Sequence, residues 1–194
     1  MQRKTSLPKQ ITNGLFIAEN VISFEEEQYL LKILQNETIE WQDIFGKWGN
    51  LRRYGWGDSP VDSRNQTNIP KIIENTGEQL YTLFRPYVKN LPEKFTSCTA
   101  NKYPIGEGLG AHKDGSVWKP FVVGLTLNGK RTMEFTNESG EKVQVLTKRC
   151  SAYIFFDEMY TDWYHASLKG KKEGKYYQDS TVFSLTYRTR SNAT

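Results

Sequence analysis

The sequence predicts an α+β domain, mainly β, whose sandwich or jelly-roll core is buttressed by helices from the N-terminal half. Three observations predict it. Helical periodicity is confined to about residues 24–36 and 70–90. From about residue 95, short β-branched and aromatic runs alternate with Gly, Asn and Lys turns, the texture of antiparallel strands. Aromatic residues form 13% of the chain, which suits strands and ring-lined clefts and argues against disorder. Helices first and strands second place the helices against one face of the β core.

Each element has a local reason. Residues 1–10 are polar and basic and read as a flexible tail ahead of a single domain, 11–194. The apolar run 14–22 reads as a strand. Ser23 and Glu26 form a capping box that opens the first helix, with Leu30, Leu31, Ile33 and Leu34 on its apolar stripe. Pro70 suits a first helical position, and Ile73, Leu80, Leu83, Phe84 and Tyr87 follow a helical period. Strands are expected at 97–103, 121–127, 132–136, 142–146, 151–156 and 181–190. Asn128-Gly129 and Ser139-Gly140 read as hairpin turns.

Composition narrows the partners. The net charge of +4, from 26 basic and 22 acidic residues, mildly favours an anionic partner such as nucleic acid. No secretory h-region opens the chain and no apolar run approaches a membrane span, so an intracellular, monomeric protein with no membrane role is expected. Cys98 and Cys150 lack ligand spacing and are expected to be free, buried thiols.

The chemistry rests on few residues. The chain has two histidines, His112 and His165, and Asp114 completes a His-x-Asp unit with the first. Two imidazoles and one carboxylate are the donor set of the facial triad that holds Fe(II) in non-haem oxygenases, leaving the opposite metal face open. In extended backbone, residues two apart share a side, so His112 and Asp114 can reach one ion. Upstream, Asn101 and Tyr103 share a strand face and can donate hydrogen bonds to a carboxylate; Gly106, Gly108 and Gly110 permit a tight turn before the ligands. In the last strand, Ser184, Thr186, Arg188 and Arg190 share one face. A guanidinium on an inner strand is expensive unless it meets an anion.

These residues resemble the AlkB-like branch of the Fe(II)- and 2-oxoglutarate-dependent dioxygenases over roughly residues 14–190. The matching parts are Asn-x-Tyr-x-x-Gly from Asn101, the His112-x-Asp114 unit, the distal His165, and Arg188 at the end of Ser-Leu-Thr-Tyr-Arg. The resemblance implies a double-stranded β-helix. It implies that His112, Asp114 and His165 hold Fe(II) and that Asn101, Tyr103 and Arg188 hold 2-oxoglutarate, with Ser184 beside them. The family pairs two arginines six residues apart around the cosubstrate; here Val182 occupies the first position, and Arg190 is the expected substitute.

The resemblance also bears on substrate. The segment 41–66 matches the family's substrate lid: Arg53 would pair a phosphate, Tyr54 and Trp56 would stack on a base, and Trp41 and Trp48 precede them. His112-Lys113-Asp114-Gly115, followed by Trp118 and Pro120, lacks the second carboxylate of the bacterial DNA-repair members and looks more like the eukaryotic branch that includes the tRNA wobble-uridine hydroxylase. Trp118 is therefore a further substrate candidate. The basic run from Lys169 to Lys175 reads as a solvated loop or as a track for phosphates. The expected function is oxidation of a modified base in RNA or DNA, by demethylation or hydroxylation. The alternatives are a catalytically impaired nucleic-acid-binding module of the same fold, or an oxygenase acting on a protein side chain or small molecule.

Overall fold

The computed structural model of the chain describes residues 5–44, 51–58, 68–172, 175–176 and 180–191. In chain order it has β1 (Lys9–Thr12), β2 (Leu15–Ala18), α1 (Phe24–Leu34), β3 (Gln42–Ile44), β4 (Leu51–Gly57) and α2 (Lys71–Phe84), which a 3₁₀ turn continues to Tyr87. There follow β5 (Ser97–Tyr103), β6 (Leu109–His112), β7 (Phe121–Leu127), β8 (Lys130–Thr136), β9 (Lys142–Lys148) and β10 (Ser151–Phe156). The chain ends with α3 (Glu158–Thr161), β11 (Tyr164–Ser167), the two-residue strands β12 (Lys171–Lys172) and β13 (Lys175–Tyr176), and β14 (Val182–Arg188).

Two antiparallel sheets make the core. The large one has strand order β1-β2-β10-β7-β14-β5-β4-β3 and the small one β6-β11-β8-β9. From β5 onward the chain steps repeatedly between them, which is the jelly roll expected from the sequence. Strand period 2 sorts the side chains of the large sheet. Cys98 and Ala100 of β5, Val123 and Leu125 of β7, Ile154 of β10, and Phe183, Leu185 and Tyr187 of β14 face the helices. Val122, Tyr153 and Phe155 face the small sheet, where they meet Met133, Phe135 and Val145. A one-residue slip of β14 would exchange its polar and apolar faces, so burial pins its register.

The helices cover the outer face of the large sheet. The capping box of α1 is present, with the Ser23 hydroxyl accepting from Glu26 N and Glu26 accepting from Ser23 N. Leu30, Leu34, Leu80 and Phe84 are buried against the sheet, each contributing about 1.5–3 kcal/mol of transfer free energy. At Gly77 a Cβ would lie 2.4 Å from the Phe95 ring and 2.7 Å from that of Tyr187, so only glycine lets α2 approach this closely. The Tyr187 hydroxyl donates to Ile73 O at 3.0 Å and ties β14 to the helix.

Several expectations need correction. The supposed tail is partly structure: β1 pairs with β2, and Ser6 N donates to Glu19 O. Residues 1–4 lie outside the described residues. Pro70 caps α2 rather than occupying its first turn. Asn128-Gly129 is not a hairpin, because β7 and β8 belong to different sheets; Asn128, at φ 56°, turns the chain between the layers. Ser139-Gly140 does lie in a true hairpin, between β8 and β9. The segment read as a lid contains β3 and β4, which extend the large sheet along β5. Residues 45–50, which include Trp48, and 59–66 lie outside the described residues. Both cysteines are free and buried, as expected.

Candidate active site

Backbone pairing brings the histidines together. His112 ends β6 and His165 lies in β11, and the two are direct partners across these antiparallel strands. Their ring centroids are 4.3 Å apart. Asp114 follows two residues after His112, and one ligand atom from each of the three side chains lies within 4.8 Å of the others. The Gly108 position keeps this pairing tight, since a Cβ there would sit 2.2 Å from Ser167 O.

The electrostatics suit a cation. His165 is 5% exposed, and burial lowers its pKa to about 3, so the ring is neutral and can offer a lone pair. Its Nδ1 has no hydrogen-bond partner among the described residues. Burial also lowers the His112 pKa, and His112 Nδ1 lies 2.8 Å from Gly110 O; donation to that carbonyl puts the lone pair on Nε2. Burial alone would raise the Asp114 pKa. The Arg188 guanidinium and the nearby histidines overcome it and hold the carboxyl at about 2. Arg188 contacts both carboxylate oxygens, Nε to Oδ2 at 2.8 Å and Nη2 to Oδ1 at 3.1 Å. Two neutral imidazoles beside an ionised carboxylate, with a buried imidazole nitrogen left unpaired, fit the donor preference of Fe(II).

The triad opens into a cavity of about 200 Å³ between the two sheets. Asn101, Tyr103, Ser184 and Arg188 all line it. Asn101 Nδ2 donates to Ser184 Oγ at 3.3 Å, and Asn101 Oδ1 accepts from Arg53 Nε at 2.9 Å. Trp118 and Lys113 line the cavity too, with Lys113 Nζ 4.9 Å from the centre of the Tyr164 ring. These side chains come from β5, β14, β4 and the segment after β6, so neighbours in sequence account for few of the contacts.

Two expectations about the cavity are corrected. Arg190 does not reach it: β14 stops at Arg188, and Arg190 is exposed, bridging Trp118 through its backbone and donating from N to Thr96 Oγ1. Its shared face with Arg188 required a strand that continued to residue 190. Tyr54 and Trp56 do not stand ready to stack on a base. In β4 Arg53 lines the cavity; Tyr54 and Trp56 take the opposite face, in edge contact at 4.9 Å, and Trp56 is 4% exposed within the helix-side core. Strand alternation, absent from a loop, is the reason. Trp41 likewise packs on that core, against Phe183. Lys169 lies 3.9 Å from Glu107, and the side chains of the rest of that basic run lie outside the described residues.

The cavity also holds a cation that the sequence reading did not name. Arg131 lies on β8 with Met133 and Phe135, on the face turned into the core. The signal was its parity with those two apolar residues. It was lost because the strand was expected to begin at residue 132.

Comparisons with known proteins agree with this geometry. No family model matches the chain. Murine tRNA (carboxymethyluridine(34)-5-O)-methyltransferase ALKBH8 is 28% identical over 167 residues, 78% of this chain. The chain spans only about a quarter of that relative and of its macaque counterpart. The zebrafish probable RNA/DNA demethylase ALKBH6 is 25% identical over 178 residues, 81% of this chain and 70% of the relative. Among solved structures, OsALKBH1 superposes with a TM-score of 0.71 at 15% identity, covering 93% of this chain and all of that one. A prolyl-4-hydroxylase from Pseudomonas putida gives 0.61 at 14% identity, covering 92% of this chain and 93% of the other, which is a likeness of fold. With curated relatives named ALKBH8 and ALKBH6, and with its jelly roll and His-Asp-His triad, the chain is similar to the AlkB-like members of the Fe(II)- and 2-oxoglutarate-dependent dioxygenases.

Proposed function

We propose that the chain oxidises a modified base in RNA or DNA, by demethylation or hydroxylation, using Fe(II) and 2-oxoglutarate. The observation that carries the reading is the convergence of His112, Asp114 and His165 at one end of a cationic cavity. When bound, the iron and cosubstrate supply the oxidising chemistry: 2-oxoglutarate and O₂ yield succinate and CO₂, and one oxygen atom enters a substrate C–H bond. The protein supplies ligands and orientation. His112, Asp114 and His165 would hold the metal, and Arg188 keeps the Asp114 carboxylate ionised and aimed. Asn101, Tyr103 and Ser184 would offer hydrogen bonds to the cosubstrate. The apolar side chains of Val122, Met133 and Phe155 limit water at the cavity wall.

Support for a nucleic-acid substrate comes from charge and from the relatives. Arg53 and Lys113 are half-buried at the cavity and could meet phosphates, while Trp118 could pack against a base. The curated relatives are named for tRNA modification and for RNA/DNA demethylation. The impaired-module alternative draws on Val182, but the complete triad favours turnover.

The test is succinate release by the Fe(II)-loaded chain against a panel of methylated DNA, methylated RNA and tRNA. Release stimulated by one nucleic acid, and abolished in Asp114→Ala, is expected. Tight nucleic-acid binding with no succinate would instead support the impaired module. Stimulation by a peptide alone would move the substrate to protein.

A further inference from the structure

We propose that Arg131, rather than any residue of β14, anchors the distal carboxylate of 2-oxoglutarate; this rests on the oxygenase reading above. Arg131 is 8% exposed and lines the same cavity as the triad. Its guanidinium carbon lies 3.7 Å from the centre of the Tyr103 ring, so the planar cation is stacked and fixed in orientation. Its hydrogen bonding is poor. Among the described residues Nη2 meets only the Met133 sulfur, at 3.2 Å, and Nη1 is buried with no partner. A thioether is a weak acceptor, and no carboxylate pairs with this guanidinium among the described residues. A buried, unpaired cation is costly, and it is explained if an anion is expected.

The other two guanidiniums of the cavity are already engaged with oxygen acceptors. Arg188 uses Nε and Nη2 on Asp114, and Arg53 uses Nε on Asn101. Arg131 is the cavity guanidinium with no oxygen acceptor among the described residues. Its place also fits. Tyr103, on which it lies, is the strand partner of Val182 across β5 and β14, while Arg188 pairs with Ser97 at the other end of the same two strands. Arg131 and the Arg188–Asp114 pair therefore stand toward opposite ends of the cavity, so a linear 2-oxo diacid held at the triad would carry its distal carboxylate toward Arg131. Val182 is fully buried beside Tyr103 and brings no charge. Arg131 reaches that end from the facing sheet, and a guanidinium can bind a carboxylate through two parallel hydrogen bonds.

The experiment uses the full chain loaded with Mn(II), so that binding is measured without turnover. Calorimetric titration compares 2-oxoglutarate with 2-oxopentanoate, which has the same carbon chain but a methyl group in place of the distal carboxylate. The wild type should prefer 2-oxoglutarate. Arg131→Met should weaken 2-oxoglutarate roughly 10- to 150-fold, the equivalent of one charge-assisted pair, and leave 2-oxopentanoate within about twofold. Arg131→Lys should recover part of the preference. Unchanged Mn(II) affinity and circular dichroism in both variants would show that the site is intact. If Arg131→Met keeps the wild-type preference, or if Arg53→Met abolishes it instead, the assignment to Arg131 is overturned while the oxygenase reading stands. A wild-type protein that binds Mn(II) but neither acid overturns both. If Arg131→Met misfolds, the Lys variant decides alone: equal loss of affinity for the two acids would count against an anchor for the distal carboxylate.

Discussion

Arg188→Met removes a charge while keeping much of the side chain's length, and the structure gives its expected cost. The Arg188–Asp114 pair is bidentate, and the two side chains are only 14% and 10% exposed. Removing one partner of such a pair leaves the other charge buried and costs about 3–5 kcal/mol. For a chain of 194 residues, each kcal/mol moves Tm by about 2–4 °C, so a fall of about 6–20 °C is expected in metal-free protein. The double variant Asp114→Leu/Arg188→Met should recover much of this loss, because it leaves no buried charge. Divalent metal supplies Asp114 with another cation. Mn(II) should therefore raise the melting temperature of Arg188→Met by more than it raises that of the wild type. The assay is thermal unfolding of the four proteins of the cycle, with chelator and with Mn(II). A coupling between the two positions below about 1 kcal/mol, or equal metal-induced shifts in wild type and Arg188→Met, would refute the claim that this pair holds the carboxylate in place.

Other consequences can be measured alongside. Trp56→Ala should cost about 3–5 kcal/mol of stability, read from urea midpoints, and leave nucleic-acid affinity unchanged, since the ring fills the helix-side core. Arg53→Ala should instead weaken nucleic-acid binding and reduce its salt dependence in filter-binding assays, with stability less affected than in Trp56→Ala. The pH dependence of metal-free protein should show a buried neutral histidine. The folded pKa of His165 is lowered to about 3, so unfolding gains a proton below the unfolded value near 6.5. The stability His165 contributes is complete above about pH 6.5 and lost as pH falls toward 3, by up to about 1.4 kcal/mol per pH unit. Asp114, held at about 2, adds its own loss only below about pH 4. Urea midpoints from pH 7 to 4 should fall for wild type and flatten in His165→Phe; an equal slope in both would reject this account.

The sequence by itself determined the periodic elements and the metal donors. The capping box at Ser23 and Glu26 and the strands 97–103, 121–127 and 151–156 are local signals, because capping geometry and two-residue alternation act within a few neighbours. The triad was legible because only two histidines exist and one lies two residues from an aspartate. Tertiary structure decided what depended on distant strands. That His112 and His165 face each other is a property of β6–β11 pairing. That β4 is an edge of the large sheet, sending Arg53 inward and Trp56 to the core, follows from its hydrogen bonding to β5, which no feature of 51–57 announces. Arg190 was misplaced because the end of β14 is set by the crossing near Trp118, not by composition. Arg131 was missed because the meaning of a buried cation depends on what surrounds it. Its ring support comes from Tyr103 on the opposite sheet, and its unpaired nitrogen is visible only when every possible partner has a position in space.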